Sequence, residues 1–594
     1  MAAPAQIEAP QFTAEKPRFN WFSSSVFLRL ALLLTIAAYA PTINFDFVYD
    51  DMAQYILSPW LQQWKFVPEY FTHHALWGFG MSNGSGNYYR PMALLWERVN
   101  YAICGETPGW WHLMAIAAHL TVVFLLYFFA RRVLKNDLAA AIAAAVFGVY
   151  PMHVESVAWM TGAAGEAVMS CMFLGGLLCY LRWREGGNLL WMLAALLLYL
   201  SACLTMENAI GLPAVVLCYE FLFPVDAADS FRQRLRRAVL VSLPFFLVMF
   251  GYLKLRMAIL GGLVDRPRPL SALILSLPSA VWFYLRLLFW PYNTSLLYDW
   301  NLVSHPGIVN FYLPAALLLV AAILCLAAWR RAPAITFCSA FAVIMLSPVL
   351  VGLLVFQKYD FVHDRYAYIP SMMVAVLIGW LLAQLGEAIG SKRAAIISVA
   401  LLLVFAAGTV RESRPWQDEL TLFSTAAERA PHNALARDYK ARALFGVRRI
   451  DESIRTFQEV LQLDPGYWPA VYNIGLLHYQ EGRYADAERA FMQAIQIRRQ
   501  TTDKEESQPL YYLGLARLRQ NKFAEAEPVL RRAVELKPNA LGYHLALGSA
   551  LEGLGRQLEA TEQFDAEKSA RVIFQEKQKA FQSSAQPSKR PTAN

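Results

Sequence analysis

The stretch FDFVYDDMAQYI, residues 45–56, sets two adjacent carboxylates, Asp50 and Asp51, among aromatic and apolar neighbours. Two acids side by side repel, so one pKa tends to rise. One of them could accept the proton of a hydroxyl nucleophile while the other holds an acceptor or a cation. The competing reading is an acidic loop that only stays hydrated.

Further polar clusters interrupt an otherwise apolar chain. YPMHVESVAW (150–159) carries His153 and Glu155, which share a side if the stretch is extended. TMENAIGLP (205–213) carries Glu207 and Asn208, and Glu166 is a further acid. QKYDFVHDRYAYIP (357–370) gathers Lys358, His363 and Arg365 around Asp364 and Tyr366, and NYYRPM (87–92) adds Arg90. An arginine fork suits a phosphate. A lipid-carrier phosphate facing a carboxylate base makes a glycosyl-transfer site, where the base deprotonates an acceptor hydroxyl and the cations stabilise the departing phosphate. No Gly-rich nucleotide fingerprint accompanies these residues.

These clusters sit in a membrane-like sequence. Of 594 residues 57% are hydrophobic and 16% charged, and the apolar excess lies between about 22 and 410. Segments long enough to cross occur near 22–41, 111–130, 138–153, 163–181, 188–204, 208–223, 238–254, 273–290, 311–329, 335–356, 368–385 and 394–410. The first has no cleavage site of the usual kind after it and reads as a retained span. Basic clusters at 131–135, 182–184, 232–237, 330–331 and 392–393 mark the cytoplasmic side. An even number of crossings must then separate 238–254 from 311–329, so 273–290 is expected on the outer surface or re-entrant. The expectation is eleven spans, with a cytoplasmic tail at 1–21, a first outer loop at 42–110, and every polar cluster on the non-cytoplasmic face. The rival count is twelve, with one cluster misplaced. The net charge of +8 sits largely in these short runs and does not indicate nucleic acid. The seven cysteines show no zinc spacing or disulfide framework.

Beyond a connection at 411–430 the chain repeats. Pro431 and Pro465, Ala441 and Gly475, and Ser453 and Ala487 are each 34 residues apart, as are Gly514 and Gly548, and Ala526 and Ala560. This is the tetratricopeptide period, and four units are expected over 431–571, with a five-residue excess between the second and third and a flexible tail at 572–594. Such an array either scaffolds the protein or grips a peptide or protein partner.

With FVYDDMAQYI, YYRPM, GWWHLMAIAAHL, YPMHVESVAWMTG, MENAIGLP, HDRYAYIPS and RPWQDELTLFSTAAERAPHN in order, the chain resembles the GT-C glycosyltransferases that use polyprenyl-phosphate sugars. More closely, it resembles the transmembrane and tetratricopeptide-repeat O-mannosyltransferase group and its bacterial relatives. The resemblance implies an all-α fold: a GT-C-like bundle of about eleven transmembrane helices over 22–410, then a repeat solenoid. It implies inverting transfer of a monosaccharide, mannose being the leading candidate, from a polyprenyl-phosphate donor to an acceptor hydroxyl on a protein or glycan. Asp50 and Asp51 match the acidic motif, the first acid resembling the catalytic base. The HDRY match resembles a carrier-phosphate contact, and Arg90, His153, Glu155, Glu207, Lys358, His363, Asp364, Arg365 and Tyr366 form the expected substrate-binding set. No cofactor is required on this reading, and a divalent cation between Asp51, His153 and Glu155 is the arrangement weighed against it. The implied location is a bacterial inner membrane, with site and repeats on the periplasmic side. Two departures stand out: TGAAGEAV replaces a charged run, and Met206 stands where relatives carry lysine. The alternatives are a transporter or flippase of a lipid-linked sugar, and a repeat scaffold on an inactive transferase-like membrane domain.

Overall fold

The computed structural model describes residues 24–56, 58–76, 88–226, 228–262, 268–501 and 505–583, and the regular elements among them are all helical. The membrane half comprises α1 (Ser24–Tyr39), the short α2 (Val67–Thr72) and α3 (Pro91–Cys104) of the first loop, and α4 (Pro108–Leu134). Then come α5 (Asp137–Gly148) with its bent continuation α6 (Val154–Ala158), α7 (Met160–Arg184), α8 (Leu189–Thr205), α9 (Leu212–Leu222) and α10 (Phe231–Leu260). It closes with α11 (Leu270–Phe289), α12 (Leu313–Ala328), α13 (Pro333–Gly352), α14 (Tyr368–Ile389) and α15 (Ser391–Ser413). Among the described residues nine helices are long and apolar enough to cross a membrane, or ten if α5 and α6, bent by 48°, count as one.

Ion pairs and caps fix the two ends of the bundle. At the basic end the buried Glu220 of α9 takes Arg184 of α7 at 2.5 Å and Arg237 of α10 at 3.1 Å, and Arg132 of α4 pairs with Glu185 at 2.9 Å. At the other end, hereafter the motif end, lie the turn after α1, the α5–α6 bend, the α8–α9 turn and the loop before α14. Among the candidate spans of the described residues, α11 has both its ends tied to residues at the motif end. Its leading Arg268 donates to Leu353 O at 3.0 Å, at the motif end of α13, and Tyr150 at the α5–α6 bend donates to Leu288 O near its other terminus. Its middle is held by the chain that follows it, with Ser276 Oγ accepting from Val303 N at 2.9 Å and Ser279 Oγ from the Trp300 indole at 3.0 Å. The segment at 273–290 is therefore a continuous helix laid along the motif end, without re-entry.

α5 is the bundle's buried axis. Its sequence DLAAAIAAAVFG offers almost only methyl groups, and small residues let helix backbones approach closely. A Cβ on Gly379 of α14 would lie 2.4 Å from Ala139 O, and one on Gly148 would lie 2.1 Å from the Thr35 hydroxyl of α1. Large side chains appear instead on the outward faces, as at Leu33, Leu247 and Ile323, which are exposed as lipid-facing residues should be.

After α16 (Glu419–Arg429) come four helix pairs: α17 (Ala434–Gly446) with α18 (Ile450–Leu463), α19 (Trp468–Gln480) with α20 (Tyr484–Thr501), α21 (Ser507–Leu518) with α22 (Phe523–Leu536), and α23 (Tyr543–Gly553) with α24 (Gln557–Ser583). The periodic small residues are where the paired helices touch. Gly475, Gly514 and Gly548 face the rings of Phe491, the side chain of Leu530 and the ring of Phe564. The second unit's extra residues begin with a lengthened α20. α24 continues to Ser583, where a flexible tail had been expected from 572, because RVIFQEKQKAFQ is rich in good helix formers. The tails at 1–23 and 584–594 lie outside the described residues.

Candidate active site

The structure separates the adjacent carboxylates. Tyr49 adopts a left-handed φ of 58°, a conformation that is sterically uncommon for a bulky residue. A π-helical turn follows at Met52–Ile56, and together they send Asp50 and Asp51 opposite ways. Asp51 is buried. Its carboxylate accepts from Thr161 N at 3.0 Å, Thr161 Oγ1 at 2.7 Å and Val48 N at 3.4 Å. Thr161 is the second residue of α7, so Asp51 caps that helix from another part of the chain, where the helix dipole favours a negative charge. Burial nevertheless pushes its pKa up to about 7, the Thr161 and Val48 bonds opposing. Asp50 is exposed to solvent, yet the protein packed around it still limits its hydration. Burial raises its pKa to about 6, with Arg365 pulling down and Asp360 adding to the rise. Of the two, only Asp50 presents an uncommitted carboxylate.

Two arginines of the polar clusters are each held on one edge by an acid. Arg90, immediately before α3, donates to Glu207 through Nε at 2.9 Å and Nη2 at 2.6 Å, and its guanidinium lies 4.6 Å over the Tyr88 ring. Burial alone would raise the Glu207 pKa, but Arg90 takes it down to about 2. Arg365 donates to the buried Glu155 of α6 through Nη1, and its backbone N donates to Glu155 Oε2 at 3.0 Å. Its guanidinium packs over Trp159 at 5.1 Å and Tyr366 at 4.9 Å. Trp159 in turn packs against Tyr49 at 5.4 Å, so one aromatic step connects the residue before Asp50 to Arg365. Tyr366 lies within electrostatic reach of both arginines, and so does the buried Glu166 of α7. A guanidinium has five donors. A carboxylate on one edge leaves the other edge for a phosphate while fixing the side chain's direction.

Other expected site residues point elsewhere. His153 and Glu155 were to share a side of an extended stretch, but Pro151 starts a short 3-10 turn that leads into α6, and a helical stretch turns them apart. His153 is fully buried against Phe147 and Tyr368, with Nε2 at 2.7 Å from Ser371 Oγ. Asp364 accepts from the Tyr298 hydroxyl and, at 3.1 Å, from Ser295 N. Lys358 leaves for the solenoid, where Nζ lies 2.8 Å from Asp464 Oδ2. His363 is buried between Asp360 at 2.9 Å and Glu155 at 3.4 Å; burial and Arg365 lower its pKa, and the two acids outweigh them to raise it. Asp51, His153 and Glu155 thus have three separate partners and do not fit a shared cation. Among the described residues no group of three or more His, Cys, Asp or Glu could hold a metal.

Three contributors escaped the sequence reading. Asp360, three residues before His363, faces Asp50 and Arg365 electrostatically; its i,i+3 spacing was the available signal. Glu97 of α3 is buried, accepts from Gln54 Nε2 at 2.8 Å to both oxygens, and has its pKa pushed up to about 8 by burial. The third is the solenoid itself. Asn433 Nδ2 donates to Tyr298 O at 3.0 Å and Tyr359 O at 2.9 Å, and His432 N donates to Asp299. Arg429 reaches Glu412 at 2.7 Å. The first repeat is therefore seated on the loops that carry Tyr298, Asp299 and Tyr359.

Tetratricopeptide-repeat family profiles match residues 469–539 and 511–571. Over the longer chain, Protein O-mannosyl-transferase TMTC1 of Homo sapiens is 26% identical over 501 residues, covering 74% of this chain and 55% of that protein. Protein O-mannosyl-transferase TMTC3 of Mus musculus is 23% identical, covering 79% and 54%. Protein O-mannosyl-transferase Tmtc1 of Drosophila melanogaster is 31% identical over 206 residues, covering 33% and 23%. The chain spans about half the length of the first two. Among solved structures, the repeat protein YrrB is 26% identical with a TM-score of 0.23, covering 25% of this chain and 74% of its own. The chain therefore resembles the transmembrane and tetratricopeptide-repeat O-mannosyl-transferase group across both its halves.

Proposed function

We propose that this chain is a GT-C-type glycosyltransferase that moves a monosaccharide, mannose first among the candidates, from a polyprenyl-phosphate carrier to a serine or threonine hydroxyl of a protein. Asp50 accepts the proton of the acceptor hydroxyl. The freed oxygen lone pair attacks the anomeric carbon from the face opposite the carrier. The bond from that carbon to the phosphate oxygen breaks, and its electron pair leaves with the lipid phosphate, inverting the configuration. Arg365 and Arg90 take up the charge growing on that phosphate, and a pre-aimed cation needs no reorganisation at that moment. The step requires no nucleotide. The positive-inside rule favours the non-cytoplasmic face, since the paired basic residues Arg132, Arg184 and Arg237 stand at the opposite end.

The reading is carried by one observation: Asp50 is an exposed carboxylate within electrostatic reach of Arg365, and Arg365 and Arg90 are each steadied by an acid on one edge. The relatives' names support transfer to protein. The test is transfer from polyprenyl-phosphate mannose, with other polyprenyl-phosphate sugars beside it, to serine- and threonine-containing polypeptides. Wild type should transfer and Asp50→Asn should lose about 10²- to 10⁴-fold in turnover with an unchanged melting curve. Equal turnover in the variant removes Asp50 from the role. Reporter fusions at 305 and 430 check the face, and a cytoplasmic signal at either refutes it.

A further inference from the structure

Arg98 follows Glu97 in α3, about 100° further around the helix. Its residue surface is 5% exposed, its Nε and Nη1 are buried, and neither donates a hydrogen bond. The guanidinium lies 4.4 Å over the Trp64 ring and 5.8 Å from that of Tyr101. Among the described residues no carboxylate forms an ion pair with it, since the adjacent Glu97 is occupied by Gln54 at 2.8 Å. An aromatic face attracts a cation but does not replace its lost hydration, and a buried charge without a counter-ion is strongly disfavoured. Burial accordingly lowers the Arg98 pKa.

The surroundings say what anion would come. The chain passes from α3 to α4 through a short turn, where the Trp111 indole donates to Gly105 O at 2.9 Å, so the end of α3 stands at the mouth of a candidate span. Exposed apolar side chains form a collar in sequence at this junction: Trp64 (53% exposed) against Arg98, Ile103 (64%) in the last turn of α3, and Trp110 (58%) and Leu113 (37%) in the first turns of α4. Tryptophans concentrate at the level of lipid headgroups, where phosphates are the abundant anions. An arginine fork matches a phosphate's oxygens, and the collar matches the acyl chains below it.

We propose that Arg98 and this collar form a binding site for the phosphate headgroup of an anionic bilayer phospholipid, separate from the Asp50 site and independent of the transferase reading. Melting curves of the full chain in neutral detergent micelles test it, with phosphatidylglycerol, diacylglycerol or inorganic phosphate added. Phosphatidylglycerol should raise the wild-type melting temperature, and most of that rise should vanish in Arg98→Gln and Arg98→Met. Arg98→Lys, which keeps the charge and loses the fork, should retain part of it. Diacylglycerol and inorganic phosphate should not distinguish wild type from the variants. An equal rise in wild type and variants overturns the proposal. So does a wild-type-to-variant gap that is the same with and without lipid, which would make Arg98 a stacking element only. Inorganic phosphate reproducing the effect would assign the site to a free anion and equally overturn it.

Discussion

Tyr49 and Tyr439 meet with ring centroids 5.6 Å apart and hydroxyls 3.5 Å apart, although 390 residues separate them. One precedes Asp50 in the first loop and the other lies in the first helix of the first repeat. A second contact of the same kind joins Tyr359, beside Asp360, to Asp464 at the end of that repeat, at 2.9 Å. Both tyrosines have left-handed φ, 58° and 73°, and each directly precedes an acid of the candidate site.

The two members of the acidic pair should respond differently to amidation. Asp50→Asn should remove turnover with little change in stability. Asp51→Asn removes a carboxylate whose folded pKa, about 7, stands above its unfolded value, so the variant's melting temperature relative to wild type should rise from pH 5 to pH 8. The opposite pattern would reverse the assignment.

Asn433 is 2% exposed and its amide donates to two loop carbonyls while its oxygen accepts from Ala436 N at 3.1 Å. Asn433→Ala strands those groups and should cost about 1–3 kcal/mol. Amide exchange at residues 356–363 should quicken with it. The Lys358–Asp464 pair, whose lysine is 65% exposed, should be worth ~0–1 kcal/mol, and Lys358→Ala should leave exchange nearly unchanged.

Transfer should fall as pH drops through about 6, because Asp50 must be ionised to accept a proton and its pKa stands near that value. A rate flat from pH 5 to 8 would exclude it as the base. Stability runs the other way for Glu97. Its folded pKa, about 8, exceeds the unfolded value near 4.3, so the folded chain binds the extra proton between them. That contribution is whole below pH 4.3 and lost as pH rises to 8. Glu97→Gln should therefore gain melting temperature relative to wild type from pH 5 to pH 8, and a constant difference would refute the shift.

Glu155 and Arg365 should be coupled. Either Glu155→Gln or Arg365→Gln leaves a buried charge unpaired, at about 3–5 kcal/mol, whereas the double variant should be less destabilised than the sum. Additivity in chemical denaturation would show that the pair is not a unit.

In the solenoid, a Cβ on Gly514 would lie 2.3 Å from the Leu530 side chain, which is fully buried and has nowhere to go. Gly514→Ala should destabilise the array by about 1–3 kcal/mol, seen in thermal melts of the full chain.

The periodic features of this chain were legible because each reports on itself. Apolar runs, the basic clusters and the 34-residue spacing of Pro431 and Pro465 need no partner to be read. Pairing was harder to read. Nothing local to QKYDFVHDRYAYIP says that Lys358 reaches forward to Asp464, that Asp364 turns to Tyr298, or that Arg365 finds Glu155 across 210 residues. HVE misled because alternation was assumed where Pro151 begins a helical turn. Asp51 looked equivalent to Asp50 until its partner, Thr161, was known.

α11 is tied at one end to Leu353 through Arg268 and at the other to Tyr150 through Leu288, so it lies beside the loops that carry Asp50, Glu155 and Arg365. A substitution that loosens α11 therefore acts on those loops without touching any of their polar side chains.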